Sequence, residues 1–447
     1  MNLTRGRWLI FWLLTLVAAF EFVARGPARA FSASGRNFND FLSPYVQTRA
    51  WFAGRDPYSS SVLAEMWPVS SRPNFLITES LDGALPAKRG LPSPYLPLAF
   101  PVLLPVALLP WRVAIVVWIL ITVAALFVAA WALIQLAGGA RDKVLAWMIL
   151  LAVLLFAPVH TAIAASNIVT VVFALSTVAT LCLTQNRNTA AGILLAIAAA
   201  LKATIALPFV IYAVASQGRK KVIIPAIVAG TLLAGATAIP HGGAGLWWRS
   251  FFANNRAMFA PGAIDDFSTA NPLAFQLVNL QAGVFPLLGN RTYTEAVVLL
   301  LFAILLAVWF MAIRRDSQVG LLDLAILAST SLLFIYHRFT DAGLLLVAVA
   351  WALSQLRKND KMLAIVCLIL AAPFLIPGAT MLHELSENYA ILEELSRSRA
   401  WDSFVLQHEP WLILAICVIL LAARSRAARR FTRASKRDFR AMEAEQT

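Results

Sequence analysis

Apolar residues run through this chain in long blocks, not in the strict alternation of a half-buried strand. The blocks fall at about 7–23, 96–110, 113–136, 144–160, 164–184, 190–215, 222–240, 295–313, 319–336, 341–356, 361–377 and 409–423. Most exceed the roughly 10 residues of a barrel strand and approach the roughly 20 of a spanning helix. Backbone inside lipid must satisfy its own hydrogen bonds, so blocks of this length predict helices. The pattern predicts an all-α polytopic transmembrane bundle of about 12 spans.

Charge orients the bundle. Arg219-Lys220-Lys221, Arg314-Arg315, Arg357-Lys358 with Lys361, and the tail "RSRAARRFTRASKR" from Arg424 read as cytoplasmic under the positive-inside rule. That leaves 25–94, 241–294 and 378–408 outside and both termini inside, and it forces Arg141, Lys143 and Arg187 outside, against the rule. The block at 96–110 is short and interrupted by Pro97, Pro101 and Pro105, and Pro158 with the polar run "HTAIAASN" predicts a broken element. The chain divides into an N-terminal catalytic module at 1–240, a C-terminal transmembrane region at 241–423 and a basic tail at 424–447. Short amphipathic helices are expected in the first and fourth outer loops; Phe41, Tyr45, Thr48 and Phe52 share one side of such a helix, which would lie along the membrane surface. The first block resembles a signal peptide, but its length suits a span, so it reads as an uncleaved helix.

Composition agrees with a membrane protein: 60% of the 447 residues are hydrophobic and 13% charged, with a mean hydropathy of +0.74. The net charge of +14 does not point to nucleic acid, because the basic residues sit between apolar blocks and in the tail, where topology places them. Cys182, Cys367 and Cys417 lie inside apolar blocks and read as packed hydrophobes. There is no phosphate-binding glycine loop, no HExxH, no GxSxG and no metal-spaced His or Cys set, so nucleotide-driven pumping and zinc hydrolysis have no support, and no metal or cofactor is expected.

Several ionisable residues are out of place in so apolar a chain. Asp40, among aromatics in "NFNDFLSPYVQTRAWFAGRDPY", is a candidate proton acceptor whose pKa desolvation would raise; spacing alone favours the alternative, that Asn39 or Asp40 caps a helix. Asp56 in "GRDPY" has the pattern of a turn residue. Lys202 is a lone cation in "AGILLAIAAALKATIALPFVIYAV", more than two turns from either end, where a charge costs about 3 kcal/mol on insertion scales. It reads as a partner for phosphate or carboxylate, against snorkelling along its stem. "YHRFTD" sets His337, Arg338 and Asp341 within five residues, as an anion- or sugar-binding cluster or as a solvated turn.

Taken in order, several stretches resemble the polytopic GT-C glycosyltransferases, and within them glycosyltransferase family 87, whose characterised members include mycobacterial polyprenyl-phosphate-mannose-dependent α-1,2-mannosyltransferases. The matching stretches are "DFLSPYVQTRAWFAGRDPY", "SPYLPLAFPVLLPVALLPW", "NTAAGILLAIAAALKATIALP", "FSTANPLAFQLVNL" and "IYHRFTDAGLLL". The resemblance implies a GT-C-like fold and an outer-face enzyme of the plasma (inner) membrane. Such an enzyme moves a sugar, mannose by default, from a polyprenyl-phosphate carrier to a lipid-linked or glycan acceptor. It implies Asp40 as the base, Lys202 and Arg338 as cations for the phosphate, and His337 and Asp341 as the walls of the sugar site. Asn167 and Asp56 join these as substrate-binding candidates. The chain departs from the family where Ala165-Ser166 replaces Gly-Gln ahead of Asn167, where Ala203 replaces the proline after the lysine, and where Arg338 replaces the second of a histidine pair. The competing reading is a transporter or flippase of a lipid-linked or anionic substrate, with Lys202 and the element at Pro158 lining its path.

Overall fold

Breaks in the apolar blocks, more than the blocks themselves, determine the architecture. The computed structural model describes residues 5–32, 40–68, 95–216, 219–240, 244–315, 319–358 and 360–446. In chain order its main helices are α1 (Arg5–Arg25), α2 (Leu42–Phe52), α3 (Ala99–Ala107), α4 (Trp111–Leu136), α5 (Lys143–Leu155), α6 (Ala157–Ala164), α7 (Val169–Thr184) and α8 (Asn188–Ala215). They continue with α9 (Arg219–Ala238), α10 (Ala244–Met258), α11 (Leu280–Leu288), α12 (Arg291–Arg315), α13 (Leu321–Phe334), α14 (Leu346–Gln355), α15 (Lys361–Ala371), α16 (Gly378–Asn388) and α17 (His408–Gln446). Among the described residues there is no strand, only one isolated antiparallel bridge between Leu277 and Arg338. Among the described residues six helices are long and apolar enough to cross a membrane, or up to eight if each of two bent pairs counts as one span.

The bends have local causes. Between α5 and α6 the axis turns by 52°, at Pro158, whose missing N–H leaves the carbonyl of Leu154 without its helical donor. A ring nitrogen of His160 bonds that carbonyl instead. The block at 96–110 yields only α3, nine residues with Pro105 inside it. At about 1.5 Å per residue it is about 14 Å long, against a hydrocarbon core of about 30 Å. It does not span.

The largest departure from a row of straight helices lies in α8. Lys202 alone within it has an extended backbone, φ −156° and ψ 93°. A straight run from Gly192 to Ala215 would cover about 35 Å, whereas the chain from Ala215 to Val222 reaches at most about 25 Å even when fully extended. Yet a Cβ on Gly192 would lie 2.4 Å from the Val222 carbonyl and 3.0 Å from the amide of Ala226. Therefore α8 turns back at Lys202 and its two arms end on the same side. The second arm is held there by Tyr212, whose hydroxyl reaches the Val319 carbonyl at 3.5 Å.

That geometry corrects the expected sidedness of Arg141, Lys143 and Arg187. Asp142 caps α5, accepting from the amides of Val144 and Leu145, and pairs with Arg357 at 3.3 Å. Arg141 and Lys143 thus lie on the basic side with Arg357. Arg187 joins them, because the start of α8 packs on the start of α9. The misplacement arose from counting 96–110 as one crossing and 190–215 as one more. On the basic side α13 and α17 are pinned by a buried pair, Arg424 to Asp323 at 2.8 Å, with the Trp309 indole donating to the same carboxylate at 3.1 Å.

In the first outer loop the expected helix forms as α2, but it does not lie along lipid. Phe41, Tyr45 and Thr48 are buried and only Phe52 of the expected apolar side is exposed. The helix sinks because it finds partners: Tyr45 Oη donates to the Leu109 carbonyl at 2.8 Å, and Trp51 Nε1 to the Thr237 carbonyl at 2.9 Å. In the fourth outer loop α10 brings Phe251 against Trp51, Tyr58 and Phe100. Asp40 does not cap α2 as spacing suggested. The cap is Phe41, which makes no side-chain cap bond, and Asn39 lies outside the described residues.

The contact at Gly192 yields a prediction. Gly192→Ala is expected to lower stability by about 1–3 kcal/mol by forcing α8 and α9 apart. Gly230→Ala in α9 meets nothing within 4 Å and is expected to be neutral or to gain up to about 1 kcal/mol of helix propensity. Thermal unfolding of both variants in one detergent checks this; equal midpoints would refute the close approach.

Candidate functional site

Two features of the fold meet at one place: the loop between α6 and α7, and the apex of α8. Ser166 in that loop has a left-handed backbone, φ 55°, a conformation that costs a residue with a side chain about 1–3 kcal/mol. It is held by the indole of Trp118, which donates to the Ser166 carbonyl at 2.9 Å. Phe41 stacks on the same indole at 4.2 Å with 6° between ring planes, fixing the chain just after Asp40. The Asp40 amide closes the contact by donating to the Ala165 carbonyl at 2.7 Å.

Asn167 then aims at Asp40. Its Oδ1 accepts from the Val169 amide at 2.9 Å at the start of α7, which leaves Nδ2 to donate to Asp40 Oδ2 at 2.7 Å. Asp40 is open to solvent by surface area, yet protein crowds it closely. Loss of water there raises the Asp40 pKa, opposed by the Asn167 hydrogen bond and by the charges of Arg338 and Lys202.

Within electrostatic reach of Asp40, Lys202 Nζ meets Asp341 Oδ1 at 2.6 Å. The second oxygen, Oδ2, receives His337 Nδ1 at 3.0 Å and the Arg338 amide at 3.3 Å. Asp341 is buried, and Lys202 keeps 17% of its side chain exposed. Both readings of Lys202 are thereby refined: it neither snorkels nor stands free for an anion, but carries a carboxylate partner. His337 is also buried, and its Nε2 has no hydrogen-bond partner among the described residues. With a carboxylate on Nδ1, Nε2 is the ring atom left for a further partner.

Arg338 reaches away from Asp341. Its guanidinium bonds the Tyr336 hydroxyl, the Ile264 carbonyl at 3.0 Å and Gln276 Oε1 at 3.4 Å, with a long ion pair of 3.5 Å to Asp265. Burial raises the Asp265 pKa, with Arg338 opposing. The Val278 amide bonds the His337 carbonyl at 3.0 Å, so the 241–294 loop is stitched to this cluster through backbone.

The structure thus brings together Asp40, Asn167 and Lys202 from 1–240 with His337, Arg338 and Asp341 from 241–423. Asp56 belongs elsewhere. One of its oxygens accepts from the Tyr58 amide at 2.9 Å and the other from the Ser250 hydroxyl at 2.8 Å, so it ties the first loop to α10. One residue was not singled out from sequence: Tyr95, buried, whose phenol feels both Asp40 and Asp341 and is pushed up mainly by burial. No signal in "SPYLPLAF" separates it from an interfacial anchor. Among the described residues no group of three or more His, Cys, Asp or Glu is placed to hold a metal ion.

Chemically, the arrangement offers an accessible carboxylate oriented by an amide, facing a buried lysine-carboxylate-histidine relay and an arginine. The family model of glycosyltransferase family 87 matches residues 94–335, just over half of the chain. The match takes in Asn167 and Lys202 and stops just short of His337. No curated protein and no solved structure matches the chain.

Proposed function

We propose that this chain, which belongs to glycosyltransferase family 87 and is a membrane glycosyltransferase, moves a sugar from a polyprenyl-phosphate carrier to a lipid-linked or glycan acceptor. Mannose is the default donor sugar, and the transfer takes place at the outer face of the plasma membrane. Asp40 acts as the base. Its carboxylate takes the proton of the acceptor hydroxyl as that oxygen attacks the anomeric carbon from the side opposite the phosphate, inverting it. The bond from that carbon to the phosphate oxygen breaks, and polyprenyl phosphate departs with the electron pair. So good a leaving group needs cations and no general acid.

The setting of Asp40 is the observation that carries this reading: it is accessible, held by Asn167, and within the electrostatic reach of Lys202 and Arg338. Those two cations would face the phosphate, with Lys202 sharing its charge between phosphate and Asp341. His337 Nε2, Asn167 and the Asp341 relay would orient the sugar. The corrected sidedness supports twelve crossings, α8 contributing two and 96–110 none. Both termini then lie inside and the cluster lies outside.

The test supplies purified protein with polyprenyl-phosphate mannose, glucose and arabinose in turn and follows transfer against pH. At least one donor is expected to turn over; no transfer from any of the three would sink the donor class. The base must be ionised, so the rate should rise with pH through the raised Asp40 pKa, above the usual carboxylate value of about 3.9. Asn167→Ala removes a bond that favours the charged form and should move that limb to higher pH with the plateau retained. For stability the sign is reversed. A native pKa above the unfolded one means the native state binds more protons between the two, so Asp40 lowers stability as pH rises through that window.

A further inference from the structure

Two aspartates stand side by side in the loop between α10 and α11, and they are used in opposite ways. Asp266 is bonded throughout. Its carboxylate accepts from the amides of Gly262 at 2.8 Å and Ser268 at 3.2 Å and from the Ser268 hydroxyl, and it pairs with Arg291 at 3.3 Å. Asp265 is fixed by its amide, which donates to the Met258 carbonyl at 3.1 Å, and its side chain is only 1% exposed. Among the described residues, however, neither of its carboxylate oxygens has a hydrogen-bond partner. What faces it is the Arg338 guanidinium at 3.5 Å, with the charge of Lys202 also in range. Burial favours its neutral form, and those two cations favour the charged one. A buried carboxylate without hydrogen bonds costs stability. Its charge is what it has to offer.

Arg338 is held where it can serve a ligand. Three of its N–H groups go to Tyr336, Gln276 and the Ile264 carbonyl, a guanidinium has more to give, and 26% of the side chain stays exposed. Asp265, closed off from solvent, can act on that ligand only through charge. Lys202 has a similar arrangement with buried Asp341. Each cation proposed for the phosphate thus carries its own buried carboxylate.

The transfer reaction gives such pairing a use. The donor is a phosphodiester with one negative charge. When its bond to the sugar breaks, the electron pair stays on the phosphate oxygen, and the lipid leaves as a monoester of about −1.5 to −2 at pH 7. Unopposed cations would therefore hold the product harder than the substrate and slow its exit. We propose that Asp265 is a counter-charge to Arg338 that loosens the hold on the departing lipid phosphate, a positioning residue for product release that touches no substrate. This role rests on the proposed polyprenyl-phosphate donor.

A fixed charge acts on a ligand in proportion to the ligand's own charge, which separates this role from a merely structural one. The test is equilibrium binding of farnesyl phosphate, a monoester, and of its methyl ester, a diester, to the full chain in detergent. Asp265→Asn removes the charge and keeps the shape. It should tighten the monoester about tenfold and the diester about threefold, and polyprenyl phosphate should become a stronger inhibitor of transfer. If Asp265 only held Arg338 in place, the same substitution would weaken both esters. Gln276→Glu sets a second carboxylate against Arg338, where the Gln276 Oε1 already accepts at 3.4 Å. It should do the reverse, weakening the monoester about tenfold and the diester about threefold, and it decides the matter if Asp265→Asn fails to fold. The proposal is overturned if Asp265→Asn leaves the monoester unchanged or weakens it, if both esters shift equally, or if Gln276→Glu does not discriminate between them. If neither ester binds the native chain, the polyprenyl-phosphate reading falls as well. If both bind and only the expected shifts are missing, that reading stands and the counter-charge role alone is lost.

Discussion

Asp40→Asn is expected to lower kcat for sugar transfer by about 10²–10⁴-fold, the contribution of a positioned general base, with little change in donor KM. Asparagine is nearly isosteric, and its side-chain oxygen can still accept the Asn167 bond that aspartate accepts at 2.7 Å. The Asp40 amide keeps its bond to the Ala165 carbonyl whatever the side chain. The fold around Phe41 and Trp118 should therefore survive, and an unchanged unfolding midpoint is part of the expected result. A variant that folds and transfers at the native rate would take Asp40 out of the mechanism, since the substitution removes only its capacity to hold a proton. The acid limb of the pH profile should disappear in whatever residual activity is left.

The second large effect is on stability and donor binding together. Lys202→Met leaves Asp341 buried with its shortest partner gone, and breaking one side of a buried pair costs about 3–5 kcal/mol. Combining it with Asp341→Leu removes the stranded charge, and such paired replacements are often close to neutral. The double variant should recover most of the stability without recovering transfer, because the cation proposed to face the phosphate is still absent. Unfolding midpoints and donor KM of the single and double variants separate the two roles. Recovery of both properties would reduce the pair to a structural one; recovery of neither would show that His337 and Arg338 cannot hold the apex of α8 unaided.

Much of the bundle could be read from the length of the apolar blocks, because lipid leaves the backbone few choices. The site was readable as individual residues and not as an arrangement. Lys202 stood out because a charge in the middle of an apolar run demands a partner. The identity of that partner, Asp341, depends on the turn at the apex of α8. Nothing from Leu201 to Thr204 is a glycine or proline, so the sequence carries no local mark of that turn. The sequence did carry an indirect mark. Arg141, Lys143 and Arg187 had to be placed against the charge rule, and three exceptions in one stretch of chain signalled a crossing counted in the wrong place. The role of Asp40 was ambiguous for a different reason: helix capping and proton transfer both select a short acid before a helix. The cap is excluded by Phe41, the N-cap of α2, and proton transfer is what the Asp40→Asn assay tests.

The turn at Lys202 also bears on the order in which the chain is made. When residues up to about 215 have left the ribosome, Lys202 has been synthesised and Asp341 has not. To reach its place at the apex the lysine has to pass through the middle of the lipid, where a charge costs about 3 kcal/mol on insertion scales, a substantial share of what two short arms gain by entering lipid. During synthesis, then, the hairpin has reason to linger at the water boundary, or to shelter its ammonium in a water-lined gap, until α13 and the stretch after it deliver the carboxylate. A nascent chain stalled before residue 341 should leave both arms open to proteolysis or to a water-soluble label, and release of the stall should close them. In that sense the last piece of the site to be translated is also the signal that the earlier pieces can settle.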